Sequence, residues 1–276
     1  MNKNLLFAIA FLLFNLSLSA QTFNSTLETS FGSDKSDFIT DIKKADNGSV
    51  IVSGFFHGTL DFDPGPGTYN LTSNGPTWPT NTIYGANGFI QKFNASGNLD
   101  WAIANTSGDI NNVTTSTIQE VDVDPSGHII VNTVAQDSTD LDPGPAILYP
   151  DTGDQYPGVG VIQKLDGTNG SLIWAISIDA KFKMVVDQNG DILIAGSYDN
   201  DNGVDIDPGP GTYLVNDNYA NNSSAPFAAK YSGIDGSLIW GADFGHATTG
   251  CAIHDLDVDK NTGELIIGGW YKNQML

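Results

Sequence analysis

This sequence predicts an all-β chain of tandem four-stranded antiparallel units, and three observations carry that prediction. The first is a loop repeated almost residue for residue. Asp61-Phe62-Asp63-Pro64-Gly65-Pro66-Gly67 returns as Asp140-Leu141-Asp142-Pro143-Gly144-Pro145-Ala146, and again as Asp205-Ile206-Asp207-Pro208-Gly209-Pro210-Gly211. The second is a tryptophan (Trp101, Trp174, Trp240) that follows a glycine turn at the same place in each copy. The third is that no useful helical periodicity follows residue 20, whereas short β-branched runs flank glycine turns throughout. A supersecondary unit repeated in fixed order marks a propeller, a solenoid or an array.

Each unit opens with a hairpin. Residues 42–52 turn at Asn47-Gly48, 121–131 at Ser126-Gly127, 184–194 at Asn189-Gly190, and 256–267 at Asn261-Thr262-Gly263. Glycine supplies the positive φ that such turns demand. The Asp-x-Asp-Pro-Gly-Pro loop and a short strand such as 67–71 come next, then a variable loop rich in Asn, Gly, Pro and Thr. A second hairpin closes the unit. Phe89-Ile90-Gln91-Lys92-Phe93 leads to Trp101, Val161-Ile162-Gln163-Lys164-Leu165 to Trp174, and Phe227-Ala228-Ala229-Lys230-Tyr231 to Trp240. One Trp per unit at a fixed strand position predicts equivalent, largely buried rings packed between neighbouring units.

Four local strands per unit match the blade of a β-propeller better than a turn of a parallel β-helix. The units run to roughly 65–80 residues against the ~40–50 of a usual blade, and the surplus sits in the variable loops. The boundaries expected are about 33–110, 111–180, 181–249 and a partial 250–276, within a repeat region spanning 21–276. Thr29-Ser30-Phe31-Gly32 is similar to Ala242-Asp243-Phe244-Gly245, which follows Trp240. The expectation is therefore an incomplete propeller of about three and a half units, a fragment of a larger protein. Its open edge would invite edge-strand self-association.

Residues 1–20 read as a cleaved signal peptide: Lys3, an apolar run over 5–18, and Ser19-Ala20 before Gln21. This predicts export to the medium or the cell surface, with no transmembrane segment left after cleavage. Formal net charge is −21, and the 11 basic residues are all lysine. So acidic a chain repels phosphate backbones, which excludes nucleic acid as a partner. Cys251 is the single cysteine, so no intrachain disulfide forms, and its apolar neighbours predict a buried, inert thiol.

The glycine-turn hairpin, the Asp-x-Asp-Pro-Gly-Pro-Gly loop and the Lys…Gly…Trp hairpin together resemble the SBBP-type β-propeller repeats of secreted bacterial proteins. The resemblance covers residues 29–276. It implies a secreted or surface-displayed propeller, often a type IX secretion substrate with a C-terminal sorting domain, and it implies no reaction. Residues 165–174 are also similar to the repeat of quinoprotein propellers, but the arginine and paired cysteines those enzymes bring to the quinone have no counterpart here. Asp137-Ser138-Thr139 matches a short O-glycan acceptor pattern known in bacteria with the first type of repeat.

The repeated aspartates are the candidate site. In extended backbone, residues two apart face the same way, so Asp61 with Asp63, Asp140 with Asp142, and Asp205 with Asp207 can converge. Prolines remove N–H donors and glycines leave carbonyls exposed, so each loop offers the oxygens that Ca²⁺ takes. The competing reading makes these aspartates turn formers that accept nearby backbone N–H groups. Asp122/Asp124 and Asp257/Asp259 form weaker pairs of the same kind, and His57, His128, His246 and His254 show no metal spacing. The preferred function is a non-enzymatic structural, adhesive or ligand-presenting module that meets a surface glycan or protein. The alternative is a carbohydrate-active or quinoprotein-like propeller enzyme. An enzyme would gather polar residues from several units at the ring axis, whereas equivalent Asp loops far from the axis would favour the module.

Overall fold

The computed structural model describes residue 32 and residues 37–73, 86–107, 116–136, 138–151, 158–198, 203–215, 225–244, 251–259 and 262–271. The expected signal segment lies outside them. Among the described residues every regular element is a strand, and the chain is all-β as predicted.

The first blade is β1 (Phe38–Lys44), β2 (Val50–Phe56), β5 (Asn87–Phe93) and β6 (Leu99–Ala104), hydrogen-bonded in that order. Between β2 and β5 the Asp loop forms a small ribbon, β3 (Thr59–Asp61) with β4 (Asn70–Thr72). After β6 comes β7 (Thr106–Ser107). The second blade is β8 (Ser116–Val123), β9 (Ile129–Ala135), β11 (Val159–Leu165) and β12 (Leu172–Ile178), with β10 (Thr139–Asp140) in its inserted loop. Here β10 pairs back onto β7 of the first unit. The third blade is β13 (Lys181–Val186), β14 (Ile192–Tyr198), β17 (Ala225–Tyr231) and β18 (Leu238–Asp243), and its loop ribbon is β15 (Val204–Asp205) with β16 (Leu214–Val215). β19 (Cys251–Val258) pairs with β20 (Leu265–Tyr271) in a two-stranded fourth sheet. All pairings are antiparallel, and the first hairpin of each of the three blades is set by a glycine turn: Gly48, Gly127 and Gly190 each sit at φ 85.

The first strands of successive units lie side by side, β1 with β8, β8 with β13 and β13 with β19. They form the inner edge, and the sheets stack face to face as propeller blades do. A β-bulge interrupts β1 between Ile39 and Asp41, β8 between Ile118 and Glu120, and β19 between Ile253 and Asp255. Each bulge is followed by an acidic residue. In β13 the pairing is regular, and Lys183 stands at that position.

The core lies mainly between blades. Ile51, Ile90 and Trp101 of the first unit pack against Ile118, Val121, Val131 and Leu165 of the second. Ile130 and Ile162 of the second meet Phe182, Met184 and Val186 of the third. The third and fourth units share a smaller cluster, with Ala195, Ala228 and Leu256 buried.

The tryptophans occupy equivalent positions, opposite Lys92, Lys164 and Lys230 on the neighbouring strand. Their burial is not uniform, which corrects the expectation. Trp101 is buried, Trp174 is half-buried, and Trp240 is 37% exposed. The cover comes from the following unit. The turn at Gly170 lies against Trp101 and the turn at Gly236 against Trp174, with so little room that a methyl at Gly170 would come 3.0 Å from the Trp101 ring. Among the described residues no such turn follows Trp240.

Candidate functional site

The three Asp loops share one geometry, and it is that of a plug. The apolar residue between the aspartates (Phe62, Leu141 or Ile206) is fully buried. Its carbonyl is held from the core. The Gln91 amide donates to Phe62 O, and Gln163 Nε2 donates to Leu141 O at 2.9 Å. The third unit has Ala229 where the others carry glutamine, and there the Tyr231 hydroxyl donates to Ile206 O at 2.9 Å. Burial, aided by the charges of Asp207 and Asp205, pushes the Tyr231 hydroxyl far above the usual tyrosine range, so it stays a donor.

The aspartates bend the chain around the plug. Asp61 Oδ1 accepts the N–H of Asp63 (3.0 Å) and of Tyr69 (2.8 Å), while Asp63 Oδ1 accepts that of Gly65 (2.8 Å). Asp140 Oδ1 takes Asp142 and Leu148, and Asp142 takes Gly144. Asp205 Oδ1 takes Asp207 and Tyr213, and Asp207 takes Gly209. The bonds from Tyr69 and Asp63 hold the Asp61 carboxyl below its ordinary range. One oxygen of every pair member is thus turned inward onto its own loop, the arrangement of an Asx turn. Among the described residues no group of three or more His, Cys, Asp or Glu side chains gathers as a metal ligand set.

Charged residues from several units do converge on the inner strands, where they act as clamps between blades. Asp41 Oδ2 accepts Val121 N of the next unit at 2.9 Å. Glu120 Oε2 accepts Met184 N at 2.8 Å, and Asp122 Oδ2 accepts Val186 N at 2.9 Å, both from the second unit to the third. Lys43 pairs with Asp122 at 2.6 Å and Lys183 with Glu120 at 2.8 Å, again across units.

A second set of charges joins lysines that are not among the sequence candidates to turn aspartates, of which Asp124 is a candidate. Lys164 Nζ, buried, reaches Asp124 Oδ2 at 2.8 Å and Gly233 O at 2.7 Å. Lys230 reaches Asp187 at 2.9 Å and Asp191 at 3.0 Å. Lys92 donates to Gly167 O at 2.6 Å. Asp124 and Asp187 also hold their hairpin turns, each accepting two backbone N–H groups. Burial pulls both carboxyls up, yet the bonds from Lys164 and His128 to Asp124, and from Lys230 and two backbone groups to Asp187, leave both below the ordinary range. Burial likewise opposes Lys230, and its two carboxylate partners raise it nonetheless. The signal was in the sequence: one lysine per unit before the Trp hairpin, and one aspartate per unit at the inner turn, with Ala45 as the exception.

His128 Nδ1 lies 3.0 Å from Asp124 Oδ2, and Cys251 is buried. The Ser138 and Thr139 hydroxyls are both enclosed, so the acceptor pattern they form is not presented on the surface. His246 falls outside the described residues.

No known family model and no curated protein matches this chain. Solved structures to which this chain shows a distant likeness include the rhamnogalacturonan lyase YesW, at 12% identity and a TM-score of 0.38, covering 87% of this chain and 40% of that one. The Bacillus licheniformis rhamnogalacturonan lyase PL11 is 13% identical with a TM-score of 0.29, over 79% and 41% of the two chains. BamB from Moraxella catarrhalis is 12% identical with a TM-score of 0.20, over 81% and 93%. The chain spans about two fifths of the length of the two lyases. At these scores the likeness carries no activity to this chain.

Proposed function

We propose that this chain is a non-enzymatic β-propeller repeat module of a secreted or cell-surface protein, structural or adhesive, presenting its variable loops to a surface glycan or protein. One observation carries the reading: the charged residues that recur from unit to unit are engaged with the repeat itself. The Asp loops turn around a buried plug, and the inner carboxylates accept backbone N–H groups of the next blade. The polar convergence at the inner strands therefore serves assembly. The variation between units falls in the segments that join the second strand to the third, where a binding surface can diverge without disturbing the blades. The SBBP-type resemblance and the signal-like first twenty residues support the same reading and add export.

The test is a panel of purified bacterial and plant cell-surface polysaccharides, each assayed for binding by the purified protein and for new chain ends after incubation. Binding without cleavage is the expected outcome. Cleavage that rises with protein concentration and survives repurification would overturn the proposal in favour of a carbohydrate-active enzyme. Export is tested separately, by finding residues 21–276 free of the leader outside the cells that make the protein.

A further inference from the structure

The first and fourth units each expose apolar residues at positions where the other units are packed. Ile118 and Val121 are the β8 residues that pack onto the first unit, and both are buried. The same positions in β1, fixed by strand register and by distance to the turn glycine, are Ile39 and Ile42. These are 51% and 58% exposed, and the adjacent Phe38 is 55% exposed. The first unit thus carries the apolar knobs by which later units dock, and among the described residues no preceding blade covers them.

The fourth unit carries the complement. Ile51 and Ile130 are the β2 and β9 residues that receive the following blade, and both are buried. Their counterpart in β20 is Ile266, 57% exposed, and further along the same strand is Trp270, 47% exposed. Asp255 and Asp257 in β19 stand where Glu120 and Asp122 stand in β8. Those two carboxylates hold the third unit by its Met184 and Val186 N–H groups. The matching N–H groups on β1 belong to Ile42 and Lys44. Charge matches as well. The bridge between Lys43 of the first unit and Asp122 of the second would recur with its signs exchanged, Asp257 against Lys43.

We propose that a second copy of this chain occupies this face: β1 of one copy docks onto β19 and β20 of another, repeating the contact that joins units one to two and two to three. The contact is heterologous, head to tail, so each copy offers two different surfaces. Its apolar centre is Ile39 and Ile42 on one side and Ile266 and Trp270 on the other. Asp255 and Asp257 accept β1 backbone N–H groups at its inner edge.

The experiment measures the mass of the purified chain by size exclusion with light scattering at about 0.1 mM, a concentration at which contacts of ~10 μM affinity are filled. Two copies or more are expected. Ile42→Asp blocks one surface and Ile266→Asp the other. Both sites are exposed in the single chain, so both variants fold, which circular dichroism checks; Ile42→Gln and Ile266→Gln are the milder substitutes. Each variant alone should run as a single copy. Mixed one to one, they should recover a species of two copies and no larger, because one intact pair of surfaces remains. A parent chain that runs as one copy overturns the proposal. So do variants that still associate, which would place the contact at another surface such as the open edge of β20, and so does a mixture that fails to recover the pair.

Discussion

The junction between the second and third units and that between the third and fourth occupy the same place in the repeat, yet they are held differently. At the first, Glu120 and Asp122 reach across to backbone N–H groups of β13, Lys183 returns an ion pair to Glu120, and Lys164 reaches Gly233 O. At the second, the corresponding positions are Lys183 and Val185, and neither accepts from β19. Leu256 N and Val258 N then turn to the side chains of their own neighbours, Asp255 at 3.0 Å and Asp257 at 2.8 Å. The first unit shows the same rule within one strand: Lys43 cannot accept Val123 N, which turns to its own Asp122 at 2.8 Å. From β8 to β19 each of these backbone N–H groups finds a carboxylate, as a partly buried donor must find an acceptor. An acid on the preceding blade decides whether that bond also joins two units. Among the described residues the fourth sheet is therefore joined to the third blade through a small apolar cluster and no such clamp, while the second and third blades are bolted at their inner edge.

The largest contrast should come from the turn aspartates. Asp124→Ala leaves the buried Lys164 ammonium with carbonyl partners only, and breaking a buried pair from one side costs about 3–5 kcal/mol. Asp259 stands at the equivalent turn of the fourth unit, where it accepts the Thr262 N–H at 3.1 Å; Asp259→Ala should cost about 0.5–1.5 kcal/mol. Urea unfolding of the two variants measures both. Similar costs would mean that the lysine pair adds nothing beyond the turn, and would break the comparison.

The clamps come next. Asp122→Ala strips Val186 N of its acceptor in a buried setting and frees Lys43, at a cost of about 1–3 kcal/mol. Asp257→Ala removes only a local bond and should stay within about 0.5 kcal/mol. Hydrogen exchange reads the same difference without mutation. The amides of Leu256 and Val258 should exchange well before those of Met184 and Val186. Equal protection would show that the fourth sheet is bound as firmly as the third.

Much of this molecule could be read in its sequence, and what could not be read has a physical reason. The hairpins, their turn glycines, the Asp loops and the shared position of the tryptophans are local, so propensity and repetition expose them. The burial of Trp101 against the exposure of Trp240 is not local, because the covering turn belongs to the next unit. The clamps stayed hidden because their donors are backbone N–H groups, which leave no letter in a sequence. The exchange of Gln163 for Tyr231 as the donor to the plug carbonyl was equally out of reach. The two residues sit at different positions of the repeat and become equivalent only in three dimensions.

The lysine–aspartate pairs also set a pH range. Asp124 and Asp187 titrate below the ordinary carboxylate value in the folded chain, so their contribution is complete above ~pH 4–5 and is lost as pH falls through the lowered values. Lys230 titrates above its ordinary value, so its share is complete below ~pH 10 and is lost as pH rises through the raised value. Asp179, raised by burial, works against the acid limb. Stability in urea should be flat between about pH 5 and 9 and fall on both sides. Tyr231, also raised, adds to the alkaline limb, so Lys230→Met should shrink that limb without abolishing it and shrink the acid one, since Asp187 loses its partner. An unchanged profile would show that the third-unit pair is not coupled to folding.

The smallest effect expected is that of Ca²⁺, and it separates the Asp loops from the clamps. In the loops, Asp61, Asp140 and Asp205 each spend one oxygen on two backbone N–H groups, and Asp63, Asp142 and Asp207 spend one on a glycine N–H. Ca²⁺ needs six to eight oxygens, and a carboxylate already holding its own turn gives up those bonds or contributes only its free oxygen. Turn formation alone predicts the same melting temperature in 10 mM Ca²⁺ as in chelator. A site of about 1 mM affinity would instead add about 1.4 kcal/mol per loop at that concentration, a rise of several degrees. The triple variant Asp63→Asn, Asp142→Asn, Asp207→Asn decides between the two. Asparagine keeps the Oδ1 acceptor for the glycine N–H but removes the charge, so turn formers should tolerate it at a small cost that Ca²⁺ does not alter. A rise in the parent that disappears in the triple variant would make the three loops weak cation sites, and would give the repeat a ligand that the inner clamps do not share.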